Sequence, residues 1–499
     1  MKKILVANRG EIALSALRCI RELGLQSVAV YSQPDEHALH VRFADEARSL
    51  PGARAVLNYG SIDRILEAAE NSGADTVYCG YGFLSESPEF ARACRDRGIT
   101  FVGPAPEVLE SCRDKLYCFS QAAPLGIPVP SHSEIVLDED DLQEKAHHLG
   151  YPLLLKPVSG TGGRYITKVY RKEDLVASYR NAVREHMLRN ARSAFYLEKY
   201  IRNAIHVEFP VLADQAGHVI HLGERECVVQ RRFQKLISET PSLRLSEAAR
   251  RAMGEATVKL VRHLGFVGCG AVEFMVDDKG RWFFMEINPR LQVEYALTEV
   301  AYGVELIKEQ LRIAAGEQLS TEIDHSRPSC HAIEFRINAE DVDRDFLPSA
   351  GVVSEYYLPG GYGYSVLSST HRGHRIDIYY DPMVLKIVCF AATRPEALAK
   401  ARFALDAVRL KGVKTTIPFL SRIVASEEFQ AGTMTCDYKM KDFLASDGDK
   451  ERQEVAAIVA ALDQEVIARF RTPSFRRESP VTNVWSMSGR LDMITRRNL

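Results

Sequence analysis

Short apolar runs alternate with amphipathic stretches at the start of the chain. Residues 3–7 read KILVA, 11–23 carry apolar residues at helical spacing, and 27–32 read SVAVYS, which predicts a β-α-β unit. The alternation repeats with a helix near 62–72 and the strand DTVYCGYG at 75–82. It repeats again with a helix near 88–97 and the strand ITFVGP at 99–104. Such alternation predicts a parallel α/β sheet. The turn after the first strand, A-N-R-G-E, lacks G-x-G-x-x-G, so a dinucleotide fingerprint is not supported.

The texture changes near residue 115. A helix is expected over 115–127, and strands at 149–157, 194–201, 206–214, 218–226, 270–278 and 281–289. Turns such as ADQAG and DDKG join several of these, which predicts an antiparallel-rich β region with inserted helices. A third region, about 330–446, carries strands near 331–337, 352–357 and 383–391 and a helix near 395–409. Internal repeats and low-complexity segments are absent from the sequence.

Composition acts mainly by exclusion. At roughly 100–200 residues per domain, 499 residues predict two to four domains. A net charge of −2 offers no global basic field for nucleic acid or anionic lipid. No apolar run reaches the roughly 20 residues that span a bilayer, and the start MKKILVANRGE is broken too early for a signal peptide. The ten cysteines form no C-x-x-C, so reduced, mostly buried thiols and a cytoplasmic protein are expected.

Three groups of residues bear chemistry. In LLLKPVSGTGGRYITKV (153–169) an apolar strand delivers Lys156 to a loop with Gly160, Gly162 and Gly163. An ammonium and close backbone N–H groups there would suit phosphates, though a plain hairpin reads the same way. In VEFMVDD and FFMEINPRLQVEY, Glu273, Glu286 and Asn288 lie in apolar strands, where an unpaired carboxylate is costly. A strand period of two puts Glu286 and Asn288 on one face, and this oxygen set suits Mg²⁺. Arg290, Gln292 and Glu294 continue the alternation, as a small-anion site beside a general base or as a wet sheet face. Gln230, Arg231, Arg232 and Lys235 suggest a basic loop between strands, either anion-binding or merely solvated.

Read together, these residues resemble the biotin carboxylases of the ATP-grasp superfamily. The matching motifs, in order, are ANRGEIA, GYGFLSE, DK (114–115), LEKY, HVE (206–208), Q-R-R-x-Q-K, EINPRLQVE, GVELIKEQLRIAAG, FRINAED and YYDPM, covering about residues 1–445. The resemblance implies an α/β and α+β multidomain chain: a Rossmann-like preATP-grasp domain at 1–114 and an ATP-grasp fold at 115–328 with a mobile lid at about 131–203. A biotin carboxylase C-terminal domain at 329–446 and a helical tail at 447–499 would follow.

It also implies the reaction. ATP activates bicarbonate as carboxyphosphate, and CO₂ passes to biotin N1 on a partner protein. By motif, Lys115 and Lys156 contact ATP phosphates under the loop of Gly160, Gly162 and Gly163. Glu198, Lys199 and the backbone after them edge the adenine, His206 meets the ribose, and Gln230 joins the nucleotide site. Glu273, Glu286 and Asn288 hold Mg²⁺ or Mn²⁺. Lys235, Arg290, Gln292 and the Val293 backbone hold bicarbonate, Glu294 deprotonates it, and Arg336 stabilises the biotin enolate. A biotin carboxyl carrier protein or domain, a carboxyltransferase subunit and a homodimer are the implied partners. Another ATP-grasp carboxylate ligase leaves Arg336 and FRINAED unexplained. A non-catalytic nucleotide-binding scaffold is the alternative of a different class.

The chain departs from the family pattern in places. Tyr165 stands for a loop glycine and Ile166 for Met, Phe233 for His, Tyr78-Cys79 for His-Pro, and Tyr295 for the His after the base. Arg18 and Glu22 fit the dimer face of bacterial members, but Ser15 and Ser365 replace arginines. YKMKDF (438–443) aligns with an ordinary C-terminal segment rather than a biotinylated Met-Lys-Met hairpin. In the tail, Val455, Ile458, Val459, Leu462 and Val466 form one helical stripe, and Trp485 and Met487 follow. This tail is expected to dock on a partner subunit or to pack on its own C-terminal domain.

Overall fold

The apolar strand that opens the chain is apolar throughout because both of its faces are covered. In β1 (Lys3–Val6) and just after it, Ile4 and Val6 join one core while Leu5 and Ala7 join another. The computed structural model describes residues 1–51, 58–159, 166–187, 194–320 and 327–444. The glycine loop at 160–165 and the tail from 445 onward, with the expectations placed on them, lie outside the described residues.

The N-terminal region runs β1, α1 (Gly10–Glu22), β2 (Gln26–Ser32), α2 (Leu39–Phe43), β3 (Glu46–Leu50), α3 (Ile62–Ser72), β4 (Thr76–Tyr78), α4 (Pro88–Asp96) and β5 (Thr100–Phe101). Its sheet is parallel, in the order β3-β2-β1-β4-β5. The third strand, β3, carries the mixed sequence EARSL, which gave no periodic signal. The strand expected over 75–82 ends at Tyr78 because Gly80 and Gly82 turn the backbone at φ 64° and 74°. A Cβ on Gly80 would also lie 2.6 Å from Ile12 Cγ1. The turn sends Tyr81 and Glu86 towards the middle of the molecule, where both are bonded below.

After α5 (Pro106–Arg113) and α6 (Lys115–Ala122) comes a small layer with α7 (Glu139–Leu149), β6 (Leu153–Pro157), β7 (Thr167–Val169), α8 (Leu175–Met187) and β8 (Phe195–Lys199). Its three strands pair in the order β7-β6-β8 over a core of their own. The helix expected to 127 tightens instead into a 3₁₀ turn at Ala123–Leu125.

The large sheet follows: β9 (Ile205–Ala213), β10 (Val219–His221), β11 (Arg225–Arg231), β12 (Gln234–Thr240), α9 (Glu247–His263), β13 (Gly268–Val276), β14 (Trp282–Asn288), α10 (Tyr295–Tyr302) and α11 (Leu306–Ala314). The C-terminal region adds β15 (His331–Asn338) and the short β16 (Glu340–Asp341), β17 (Leu347–Pro348), β18 (Gly351–Val352) and β19 (Glu355–Tyr357). Then come β20 (Tyr364–Ser368), β21 (Arg375–Ile376), β22 (Met383–Ala391) and α12 (Arg394–Ala407). One sheet of nine strands runs β14-β13-β9-β11-β12-β15-β22-β20, with β10 beside β9. It therefore continues across the boundary expected at 328/329, joined where β12 pairs β15 from Ile237↔Phe335 to Thr240↔Ala332. Phe335 is fully buried at that seam. Phe335→Ala is expected to cost about 3–5 kcal/mol, read as a lowered urea midpoint.

Candidate active site

Strand register assembles the site. Arg225 on β11 faces Glu208 on β9, Glu208 faces Glu273 on β13, and Glu273 faces Glu286 on β14. Directly opposed residues share a sheet face. The intervening Val207, Phe209, Val272 and Phe274 face the other way into the core. The apolar half of each strand thus fills the interior while the charged half forms one row.

Lys235 reaches into this row from β12. Its Nζ bonds Glu208, lies 2.8 Å from Glu273 Oε1 and 3.6 Å from Glu294 Oε1. Arg225, more deeply buried, donates to Glu208 at 2.7 Å, to Gln292, to Thr298 Oγ1 at 3.0 Å and to the Glu294 carbonyl at 3.3 Å. Burying such ions costs several kcal/mol each, and mutual pairing offsets it. Burial pushes the Glu273 carboxyl up, but Lys235 and His206 outweigh it and hold Glu273 well below the usual carboxylate range. Burial acts likewise on Glu294, where Lys235 and Arg225 outweigh it. For Lys235 burial pulls downward, and Cys227, Glu208, Glu273 and Glu294 together raise it well above a normal lysine.

Glu294 occupies the N-cap position of α10, its side chain making no capping hydrogen bond there. The loop before it is held at every polar residue. Gln292 Nε2 donates to Glu273 Oε1 at 2.8 Å, as does Asn288 Nδ2 at 2.9 Å. Arg290 bonds Glu86 and the Leu291 carbonyl at 3.2 Å. The Val293 carbonyl accepts from Lys386 at 2.5 Å.

Beyond Glu286, Asp114 accepts from the Tyr117 N–H at 2.9 Å and so caps α6. Lys115 then meets Glu286 at 3.0 Å. Glu273, Glu286 and the Asn288 amide oxygen are the oxygen types that Mg²⁺ takes; here the Asn288 oxygen accepts from Arg290 at 3.4 Å. His206 sits between Glu273, at 2.8 Å, and Gln230 Nε2, at 2.7 Å. Burial lowers its pKa, yet Glu273 outweighs burial and raises it.

Other expected residues lie apart from this cluster. Lys156 donates to Glu198 at 2.6 Å, and Tyr196 Oη donates to the other Glu198 oxygen at 3.0 Å. The Glu198 carboxylate is thus spent inside the small layer. Lys199 turns its ammonium onto the carbonyls of Gly150 and Tyr151, at 2.7 and 3.1 Å. Arg336 donates to Asp381 at 2.6 Å and Asn338 at 3.3 Å. Gly160, Gly162 and Gly163 lie outside the described residues.

The basic segment 230–235 is corrected from a loop to a hairpin. Gln230 and Arg231 end β11, Lys235 lies in β12, and only Arg232 and Phe233 turn, both with left-handed φ (49° and 64°). Two-residue hairpins need positive φ at both central positions. The segment looked like a loop because two arginines and a lysine mask its alternation. Sequence reading also missed Glu208, Arg225, Glu86, Asp381 and Lys386. Their signal was present, since single charges inside apolar strands require partners.

The chain matches three family models: Biotin carboxylase, N-terminal domain, over residues 1–109; Carbamoyl-phosphate synthase L chain, ATP binding domain, over 114–322; and Biotin carboxylase C-terminal domain, over 334–439. It is 42% identical to the 2-oxoglutarate carboxylase small subunit of Hydrogenobacter thermophilus over 88% of this chain and 93% of that one. It is 40% identical to biotin carboxylase 1 of Bacillus subtilis over 87% and 96%. The crystal structure of the H. thermophilus biotin carboxylase domain dimer, in complex with MgADP, ADP and bicarbonate, superposes with a TM-score of 0.86. It is 41% identical over 89% of this chain and 99% of that one.

Two consequences of the charge cluster are measurable. Glu273 and Glu294 titrate below their unfolded values. Their contribution to stability is therefore full above the ordinary carboxylate pKa of about 4.5 and lost as pH falls through the depressed values. Lys235→Met, which strands the carboxylates, is expected to cost about 3–5 kcal/mol at pH 7. It should also flatten the fall of the urea midpoint with pH on the acid side. Phe233→Asn, which tolerates left-handed φ, is expected to raise stability by up to about 1 kcal/mol, read as a higher thermal midpoint.

Proposed function

The chain belongs to the biotin carboxylase family, and we propose that it carboxylates biotin on a separate carrier protein, using ATP and bicarbonate through carboxyphosphate. The observation that carries this reading is the buried Glu294 carboxylate, held ionised 3.6 Å from Lys235 beside Arg290, Gln292 and Val293. Bicarbonate is a weak nucleophile and needs a base at that point.

Lys235, Arg290, the Gln292 side chain and the Val293 backbone bind bicarbonate so that Glu294 takes its proton. Lys115 and Lys156 leave their carboxylate partners for the ATP phosphates, with Gly160, Gly162 and Gly163 closing above them. Charge spread over phosphate oxygens is stabilised by cations fixed in advance. Glu198 sets Lys156, Lys199 and the backbone after it edge the adenine, and His206 with Gln230 takes the ribose. Glu273, Glu286 and Asn288 would hold Mg²⁺ or Mn²⁺, which would supply positive charge against the phosphates. Arg336 stabilises the biotin enolate oxygen, since a guanidinium stays charged.

The expected domains, 1–114, 115–328 with its lid, 329–446 and the tail, serve this division of labour. A biotin carboxyl carrier protein or domain, a carboxyltransferase subunit and a second copy of the chain complete a cytoplasmic assembly. Among the described residues no helix is long and apolar enough to cross a membrane. The relatives differ in the acid they carboxylate, which fits an acceptor chosen by the transferase subunit.

With Mg-ATP and bicarbonate, ADP release is expected to rise on adding biotin or a biotinylated carrier. Glu294→Gln should lower it by at least about 100-fold with ATP binding kept. ATP binding without any turnover, even with a carrier present, overturns the reading.

A further inference from the structure

Lys386 lies in β22, where the sequence reads M-V-L-K-I-V-C-F-A, and its side chain has no exposed surface. An ammonium at such a site must be paired, and here every partner belongs to a different part of the chain. Its Nζ is 2.5 Å from the Val293 carbonyl and 2.9 Å from Glu11 Oε1. The ring of Tyr295 lies 4.1 Å away and that of Tyr81 5.8 Å away. Glu11 is itself held by the hydroxyls of Tyr81 and, at 3.3 Å, Tyr295. Glu334, a second buried carboxyl nearby, is pushed up to about 8 by burial, with Lys386 acting the other way.

The Val293 carbonyl belongs to the peptide that leads into Glu294. The next carbonyl, that of Glu294, accepts from Arg225 at 3.3 Å. Successive carbonyls of one loop thus rest on two buried cations from different strands. Arg225 also carries Gln292 and Glu208, so its part is shared. Lys386 holds the loop through the Val293 carbonyl and the start of α10 through the Tyr295 ring, and Glu11 in α1 anchors it from the other side.

We propose that Lys386 is a positioning residue for bicarbonate: it ties the Val293–Glu294 peptide to the N-terminal domain and so sets the anion's backbone contact and the aim of the base. Lys386 touches neither ATP nor biotin in this role. The inference rests on the function proposed above. It predicts a loss confined to bicarbonate, because the groups around Lys115, Lys156 and His206 make no contact with it.

The test is steady-state ADP release by the full chain with carrier or free biotin, comparing wild type, Lys386→Met and the double variant Lys386→Met/Glu11→Gln. The single variant is expected to raise the KM for bicarbonate by about tenfold or more and to lower kcat, with the KM for ATP within about twofold. The double variant removes the stranded carboxylate and should regain thermal stability, yet keep the raised bicarbonate KM. Return of that KM to the wild-type value in the double variant would show that Lys386 only balances charge, and overturns the proposal. So does an equal rise in both KM values, or failure of both variants to fold. An inactive wild type would sink the functional reading itself, whereas an active wild type matched by an unimpaired Lys386→Met sinks the inference alone.

Discussion

One buried ammonium holds the site together. Lys235 lies among Glu208, Glu273 and Glu294 and is the largest charge offsetting the burial of Glu273 and Glu294. With Arg225, it holds the Glu294 carboxyl below the usual carboxylate range. It also keeps Glu273 ionised and gives Gln292 and Asn288 an acceptor that fixes their amides. Arg225 shares the load from the opposite side. The cluster tolerates its own burial because each charge has a partner on another strand.

The sheet exists at this point to supply that row. Four strands contribute one charged residue each at the same level, and their apolar neighbours fill the core behind. Extending the sheet through β15 and β22 brings Arg336 and Lys386 level with one another. Lys235, Glu273, Arg336 and Lys386 thereby lie along one sheet. The parallel sheet of the N-terminal region contributes through the loop after β4, where glycine-enabled turns deliver Tyr81 and Glu86.

Much was legible in advance. Alternation and apolar runs located most of the long strands and helices, and ordered motifs identified the family. The failures have physical causes. A three-residue strand, a mixed edge strand such as EARSL, and a hairpin flanked by arginines carry too little periodicity to be read. The partners of Glu198 and Lys199 were likewise not legible: Lys156 engages the first, and the carbonyls of Gly150 and Tyr151 the second. A side chain's partner is a tertiary fact even when its strand is a local one.

The sequence by itself determined the inventory: parallel and antiparallel regions, oxygen donors for a hard cation, a carboxylate base beside cations, and lysines at strand and helix ends. These depend on residue type and a short-range period of two or 3.6, which are local properties. Tertiary structure decided the pairings. Strand register set Glu208 against Glu273 and Arg225, and burial then forced each ion to find a partner, including Lys386 with Glu11 some 375 residues earlier in the chain. Desolvation acts only once the chain is packed, so the energetics of the site became visible only in three dimensions.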